Sequence, residues 1–497
     1  MTHSPRIEQR DGVDVYGNYI GGQWIAAASG ETAENRSPTN PDEVIGLFAA
    51  SSGDDVSTAI AAAEGAFDAW AATSAIARAN ILYKASEILA GRIPEVGRDL
   101  SREEGKTLKE GIGETTRAVA ILRYFAGELQ QPIGEHYSSA TPTTLLFTLR
   151  EPLGVCGIIT PWNFPIAIPA WKIVPALAFG NTVVFKPASL TPLCAVHLTQ
   201  ALAEAGLPSG VLNLVTGSSG EVGDPLVADD RVVGISFTGS ELVGNKIKRV
   251  AGNRGAKVQL EMGGKNPAIV LVDADIDHAV AQVINGAMMS TGQKCTATSR
   301  AIVDRRIAPE MAERLGRSIA ALKVGDPLDD STQIGPLISA EAADRVSAEI
   351  QAAREAGVGL AVGGDRPEGL NGHFVNPALF VDVDPGSRLG QDELFGPVLG
   401  VIPVDDIDEA IAVANSVRYG LSASLFTRDI GQALSFIRQI QAGIVHVNSE
   451  TAGAEPHVPF GGYKGSSSYS REQGKASREF YTQVKTVYFD PPPARGT

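Results

Sequence analysis

Cysteine is scarce in this chain: Cys156, Cys194 and Cys295 are the only three in 497 residues. An odd and widely spaced set gives no disulfide framework and no zinc pattern, which points to a reducing compartment. Basic charge is short as well. Lys and Arg number 42 against 57 Asp and Glu, a net charge of −15, which disfavours nucleic acid and anionic membrane surfaces as partners. An anionic small molecule stays open, because a local basic pocket can form in an acidic protein. No apolar run reaches the length of a membrane span, and the polar start M-T-H-S-P-R-I-E-Q-R-D-G lacks a signal region. The expected location is the cytoplasm, with no membrane partner and no metal. No internal repeat is present. The dinucleotide fingerprint G-x-G-x-x-G is missing after any strand-like run; Gly217–Gly223, G-S-S-G-E-V-G, has a different spacing. Hydrophobic content of 43% nevertheless supplies a large core, spread over two or three domains.

The pattern along the chain is mostly helix and strand in alternation. Met1–Asp14 reads as a loose arm. Val56–Trp70, Ile76–Leu89 and Leu108–Gly127 place apolar residues at helical spacing on an alanine-rich background. Thr141–Leu149 reads as an extended β arm. Strand-length apolar runs follow at Gly154–Ile159, Thr182–Phe185, Leu212–Val215 and Val232–Phe237, with helices at Pro192–Ala205 and Leu242–Val250 between or after them. Such alternation predicts a parallel sheet. A second alternating region starts with the strand Asn266–Val272 and the helix Ile276–Met289. Later strands are expected at Ala301–Val303, Val398–Pro403 and Gly443–Val447.

Three stretches carry chemistry. Ser290–Ser299, S-T-G-Q-K-C-T-A-T-S, sets Cys295 among small and polar residues, so the thiol is reachable rather than inert packing. Lys294 beside it is expected to favour the thiolate, a strong nucleophile toward carbonyl carbon. The alternative is a structural thiol in a turn. In Leu260–Pro267, L-E-M-G-G-K-N-P, Glu261 ends a strand-like run and meets a glycine pair, a position from which a carboxylate can act as general base. In Thr160–Pro165, T-P-W-N-F-P, two prolines stiffen a loop around the amide of Asn163, which can hold a hydrogen-bond donor in place. Thiol, carboxylate and amide are the parts needed to form and hydrolyse a thioester.

P-W-N-F-P, F-T-G-S, L-E-M-G-G-K-N-P, G-Q-K-C, E-L-F-G-P-V and P-F-G-G occur here in that order. The chain thereby resembles the NAD(P)-dependent aldehyde dehydrogenase superfamily, from about Gly17 to about Phe489. The short hairpin that opens family members matches Tyr19–Ile25. The resemblance implies an α/β fold with three parts: a Rossmann-type parallel-sheet NAD(P)-binding domain (1–130 and 151–262), an α/β catalytic domain (263–465), and a small β oligomerisation element (131–150 and 466–497). It implies Cys295 as nucleophile, Glu261 as base, and the Asn163 amide with the Cys295 N–H as oxyanion donors. Lys172 would orient the carboxylates and water. The cofactor, NADP or NAD, would lie along Thr160, Pro161, Trp162, Lys186, Ser189, Gly223, Phe237, Thr238, Gly239, Ser240, Gly244, Leu260, Glu261 and Gly263. Phe237–Ser240 opens a helix whose N-terminus suits a pyrophosphate. Lys186 would hold the adenosine ribose, Glu393 the nicotinamide ribose, and Phe395 would sit beside the ring. Ser189 stands where NAD-committed members often carry Glu, so NADP use is expected, alone or with NAD.

The stretches Gly292–Arg300 and Asn448–Gly462, with S-S-S-Y-S-R-E-Q-G after them, most resemble the α-ketoglutarate semialdehyde branch. An anionic aldehyde substrate follows, with succinate and glutarate semialdehydes as alternatives. Arg117 is the candidate carboxylate anchor, partnered by Ser299 or the Ser449–Thr451 loop, and Phe164 and Trp171 would wall the pocket. A CoA-acylating enzyme or a non-catalytic structural protein of the same fold are further alternatives. The first usually lacks a Glu261 equivalent and the second often lacks the nucleophile. A homodimer or homotetramer is expected.

Overall fold

The computed structural model describes residues 4–492. Residues 1–3 of the expected arm and 493–497 of the expected oligomerisation element lie outside the described residues.

The helical layer forms as its periodicity predicts, and its ends are set by side chains. Helix Gly53–Ala72 starts at a capping box in which Ser52 and Asp55 bond each other's backbone; helix Leu108–Glu128 starts at a second one, made by Thr107 and Glu110. Between Ala75–Ala90 and Leu108–Glu128 runs a helix that the periodicity did not reveal, Ile93–Glu104. It opens with Pro94 in its first turn and closes at Gly105, whose φ of +95° favours glycine. Val96 and Leu100 are its fully buried contribution to the core.

Two seven-stranded sheets organise the rest. In the first, the order is Lys257–Glu261, Val232–Thr238, Val155–Ile159, Thr182–Lys186 and Leu212–Leu214, all parallel. The expected hairpin, Asn18–Ile20 with Gln23–Ile25, extends it antiparallel. Val155–Ile159 and Thr182–Lys186 are buried at every position, which is why they read as continuous apolar runs and not as alternation. The second sheet runs Gly359–Val362, Ala378–Val381, Val398–Val404, Thr298–Asp304, Asn266–Val270, Ser422–Phe426 and Ile444–Val447, parallel except at its first strand. Residues 262–265 connect the two sheets. A ligand cleft belongs at the carboxyl ends of such strands; Glu261 and Thr238 both end strands there.

Three smaller sheets complete the fold, the least of them the two-residue pairing of Tyr419–Gly420 with Tyr463–Lys464. Thr482–Phe489 pairs with Leu145–Pro152 over eight residues, and His136–Tyr137 adds a third strand. The expected arm at Thr141–Leu149 is therefore present but shifted toward the C-terminus. The loose arm expected at Met1–Asp14 is corrected for its described part. Arg6–Arg10 and Val13–Tyr16 are strands of a four-stranded sheet with Val44–Ala49 and Thr32–Arg36. Burial of Val15 and stacking of Tyr16 on Phe48 at 4.9 Å dock this edge, a long-range contact with no local signature. Among the described residues, no helix is long and apolar enough to cross a membrane, and no cluster of His, Cys, Asp or Glu is arranged to hold a metal ion.

Candidate active site

The segment carrying Cys295 is pinned from three sides. After helix Ile276–Met288, Ser290 and Thr291 take left-handed φ of 53° and 54°, followed by Gly292 at 67°. A Cβ on Gly292 would lie 2.2 Å from the Gly396 carbonyl oxygen, so only glycine fits. Glu110 accepts from the Ser290 N–H at 2.6 Å, tying the loop to the helical layer. The Asn266 amide donates to the carbonyls of Cys295 (2.8 Å) and Ala297 (2.9 Å), while its oxygen accepts from the Ser422 N–H at 3.0 Å.

Cys295 thereby lines a cleft of about 300 Å³. Around it stand Pro161, Trp162, Asn163, Thr238, Gly239, Ser240, Met262, Gly263, Arg345, Glu393, Leu394 and Phe395. Cys156 and Cys194 are buried in a strand and at a helix start. Burial, then the charges of Glu393 and Glu261, push the Cys295 thiol up to about 12. The expected help from Lys294 is corrected. Its Nζ donates to the Asn285 carbonyl at 3.2 Å, and the surrounding carboxylates and burial outweigh it.

Asn163 stands on a fully buried network. Its side-chain amide donates to the Gln293 carbonyl at 2.9 Å, and its own carbonyl accepts from Lys106 Nζ at 2.7 Å. Lys106 also pairs with Glu114 at 2.7 Å and lies 3.9 Å from Glu104. The second Glu114 oxygen accepts from the N–H groups of Ile166 and Ala167, capping the start of helix Ala167–Ala178. That helix carries Trp171 and Lys172. Lys172, fully buried, donates to Ser236 Oγ at 3.0 Å and ion-pairs with Glu472. Trp171 Nε1 donates to the other Glu472 oxygen at 2.7 Å.

Glu261 is buried at the end of its strand. One carboxylate oxygen accepts from Ser467 Oγ at 2.5 Å, and the other has no partner among the described residues. Burial first, then the charge of Glu472, raise its pKa well above the usual carboxylate range.

The residues expected to hold a cofactor fall in two places. At the cleft, Glu393 accepts from the Gly264 N–H at 2.9 Å and burial raises it to about 7. Phe395 meets Trp162 edge-on at 5.4 Å. A Cβ at Gly263 would lie 2.2 Å from a Glu393 oxygen, and one at Gly239 would lie 2.5 Å from the Phe237 ring. Ser240 caps helix Glu241–Asn253, which carries Gly244. The hydroxyls of Thr160 and Thr238 are buried without a partner among the described residues, as polar groups awaiting a ligand are. Leu260 is buried one residue before Glu261. Farther along the same sheet, Lys186 is buried, its ammonium has no hydrogen bond or ion pair among the described residues, and burial lowers it to about 8. Ser189 lines a second cavity of about 420 Å³ with Glu31, Glu34, Gly217 and Glu221, and its hydroxyl donates to the Gly217 carbonyl at 2.8 Å. Gly223 ends the turn after that cavity. Orphaned hydroxyls, an unpaired lysine and glycines at the close approaches fit an extended dinucleotide.

The five expected substrate residues are not in the lining of the 300 Å³ cleft. Arg117 is half-buried with no hydrogen bond or ion pair among the described residues, and burial lowers its pKa. Ser299 Oγ is buried without a partner. Phe164 lies under Lys106 Nζ at 4.1 Å, and Trp171 sits 5.4 Å from Phe460. Ser449 Oγ is 3.3 Å from His446 Nδ1. The sequence reading missed Asn266, Glu110, Glu114, Ser467 and Glu472. Asn266, Ser467 and Glu472 lie inside motifs quoted above, but nothing local marks their partners.

Comparison with known proteins gives the family and the fold. The chain is 46% identical to the alpha-ketoglutaric semialdehyde dehydrogenase of Bacillus subtilis, over 96% of this chain and 99% of the relative. It is 45% identical to the alpha-ketoglutarate semialdehyde dehydrogenase of Haloferax volcanii, over 95% and 98%. The crystal structure of an NAD-dependent aldehyde dehydrogenase from Sinorhizobium meliloti superposes with a TM-score of 0.94 at 36% identity, covering 97% of this chain and 96% of that one. A sequence model described as the aldehyde dehydrogenase family matches residues 24–487. With its thiol, amide and carboxylates gathered at the meeting of two parallel sheets, the chain belongs to the aldehyde dehydrogenase family.

Proposed function

We propose that this protein oxidises α-ketoglutarate semialdehyde, a small anionic aldehyde, to its carboxylate. The general reaction, NAD(P)-dependent oxidation of an aldehyde to a carboxylate, comes with the family. The chemistry is carried by one observation: Cys295 and Asn163 share a cleft whose other wall holds Glu393 and Phe395.

The Cys295 thiol gives up its proton to solvent water, and the thiolate so formed attacks the carbonyl carbon. The Asn163 amide and the Cys295 backbone N–H hold the resulting oxyanion, and losing one such donor costs about 100- to 1000-fold in rate. Bound NAD(P)+ supplies the hydride acceptor. Glu261 takes a proton from the water that hydrolyses the Cys295 thioester. Lys172, paired with Glu472, fixes the charge balance beside Glu261. Thr160, Thr238, Ser240, Lys186 and Glu393 hold the cofactor. Residues 1–130 and 151–262 serve as its domain, 263–465 as the catalytic domain, and 131–150 with 466–497 as the assembly element. The exposed Leu145, Leu149, Tyr488 and Phe489 on the three-stranded sheet support a homodimer or homotetramer.

The substrate reading is supported by the names of the two relatives above and by Arg117, a half-buried guanidinium with no partner among the described residues. The test is a kcat/KM panel of α-ketoglutarate, succinate and glutarate semialdehydes, betaine aldehyde and an uncharged aliphatic aldehyde. The dioxo acid is expected to win. Arg117→Ala should weaken kcat/KM for the anionic substrates about 10- to 100-fold, the value of a charge-assisted contact, and spare the uncharged one. Preference for betaine aldehyde, a cation, would overturn the anionic pocket.

A further inference from the structure

The three serines Ser466, Ser467 and Ser468 form a clasp on the strand end that carries Glu261. Their backbone continues the sheet. The Met262 N–H donates to the Ser466 carbonyl at 2.7 Å, and the Ser468 N–H donates to the Leu260 carbonyl at 2.9 Å, so Glu261 and Ser467 face each other as an antiparallel bridge. Each hydroxyl then bonds a different residue of the 260–263 segment. Ser466 Oγ donates to the Gly263 carbonyl at 2.7 Å, and Ser468 Oγ accepts from the Leu260 N–H at 2.9 Å. Ser467 Oγ donates to Glu261 Oε2 at 2.5 Å and itself accepts from the Gly462 N–H at 2.6 Å. The Gly462 bond occupies a lone pair of the serine oxygen and so directs its proton at the carboxylate.

The other carboxylate oxygen is left differently. Oε1 is buried and has no partner among the described residues. It points beside Gly461, where a Cβ would lie 2.8 Å away; any larger residue there would crowd it. One oxygen is therefore clamped and one is free.

We propose that Ser467 is the positioning residue for Glu261, fixing which carboxylate oxygen takes the proton from water and favouring its ionised form. This role presupposes Glu261 as the base, as proposed above. The groups that face Glu261 are Glu472, which disfavours its charge, and Lys172 and Arg471, which favour it, with Cys295 on the cleft side. Burial and Glu472 raise the carboxyl; the Ser467 proton opposes them. Removing that proton moves the titration further up, so less of the base is ionised at any pH on the acidic limb.

The experiment follows the acyl-enzyme directly. A single turnover is started with substrate and cofactor, and decay of the adduct on Cys295 is followed by intact-mass spectrometry across pH 5.5–9.5. Ser467→Ala should slow decay at neutral pH by roughly tenfold, the value of one charge-assisted hydrogen bond, and shift the acidic limb upward by about one pH unit. The burst of reduced cofactor that precedes it should keep its rate, because acylation does not use Glu261. Ser467→Thr keeps the hydroxyl and should restore the wild-type limb. An unshifted limb in Ser467→Ala overturns the inference, as does a burst slowed as much as the decay, which marks a merely structural loop. Glu261→Gln separates the two layers. If it traps the acyl-enzyme while Ser467→Ala behaves as wild type, only the positioning role fails; if Glu261→Gln turns over normally, the base assignment fails.

Discussion

Lys106→Met offers a test of the buried network beneath Asn163. The ammonium is 2% exposed and makes two short charge-assisted bonds, to Glu114 and to the Asn163 carbonyl, each at 2.7 Å. At about 1.5–3 kcal/mol each, their loss amounts to roughly 3–6 kcal/mol. An independent route gives a similar figure: breaking one side of a buried ion pair costs about 3–5 kcal/mol, because the remaining charge is stranded. Here Glu114 would be stranded beside Glu104, which burial already raises to about 8. The double variant Lys106→Met/Glu114→Gln removes the stranded charge and should recover about half of the loss. Reversible urea unfolding followed by tryptophan fluorescence gives the stabilities. The rate of the reduced-cofactor burst reports whether Asn163 has moved, and it should fall in Lys106→Met. A cost below about 1 kcal/mol, within the range of an exposed pair, would refute the reasoning. So would a double variant less stable than the single one.

Three further outcomes are expected. Cys295→Ala should abolish dehydrogenase activity, whereas Cys156→Ala and Cys194→Ala, both buried away from the cleft, retain most of it; activity surviving in Cys295→Ala would sink the thioester scheme. Ser189→Glu should shift the NADP to NAD ratio of kcat/KM toward NAD by adding a charge that repels a 2′-phosphate, and a wild type inert with NADP would remove the basis of that expectation. In the free enzyme the Cys295 thiol is raised to about 12, so alkylation by iodoacetamide should climb steadily from pH 6 to pH 9; a plateau near pH 7 would show a thiolate the geometry does not stabilise.

The parts of this protein legible in its sequence were those with local periodicity or a short motif. Helices such as Gly53–Ala72 announce themselves because one periodicity fits their whole length, and the fully buried parallel strands because each is an unbroken apolar run of strand length. The cleft residues Asn163 and Cys295 stood out because a proline-stiffened loop and a run of small polar residues surround them, whereas Glu393 is marked only by the family resemblance. What stayed hidden depends on distant partners. Asn266 holds a carbonyl 29 residues on, Glu110 holds an N–H 180 residues on, and Glu472 meets Lys172 from 300 residues away. The strand Val13–Tyr16 was missed for the same reason, since its support is Val44–Ala49. Lys294 is next to Cys295 in sequence, but its ammonium is turned to the Asn285 carbonyl, a direction that adjacency alone does not reveal.

The pairing of Lys172 with Glu472 also sets a timetable for making the protein. A ribosome adding about 5–20 residues per second delivers Glu472 roughly 15–60 seconds after Lys172. Until then the lysine has no carboxylate to accompany it into the core, and helix Ala167–Ala178 cannot bury that face without a stranded charge. The same late segment brings Ser466–Ser468 to the Glu261 strand and Thr482–Phe489 to Leu145–Pro152. The nascent chain therefore carries its nucleophile before its base is seated, and the site closes only when its C-terminal segment arrives. A chain cut before Ser466 would keep every residue of the Cys295 loop and still be left with an unfinished hydrolytic half.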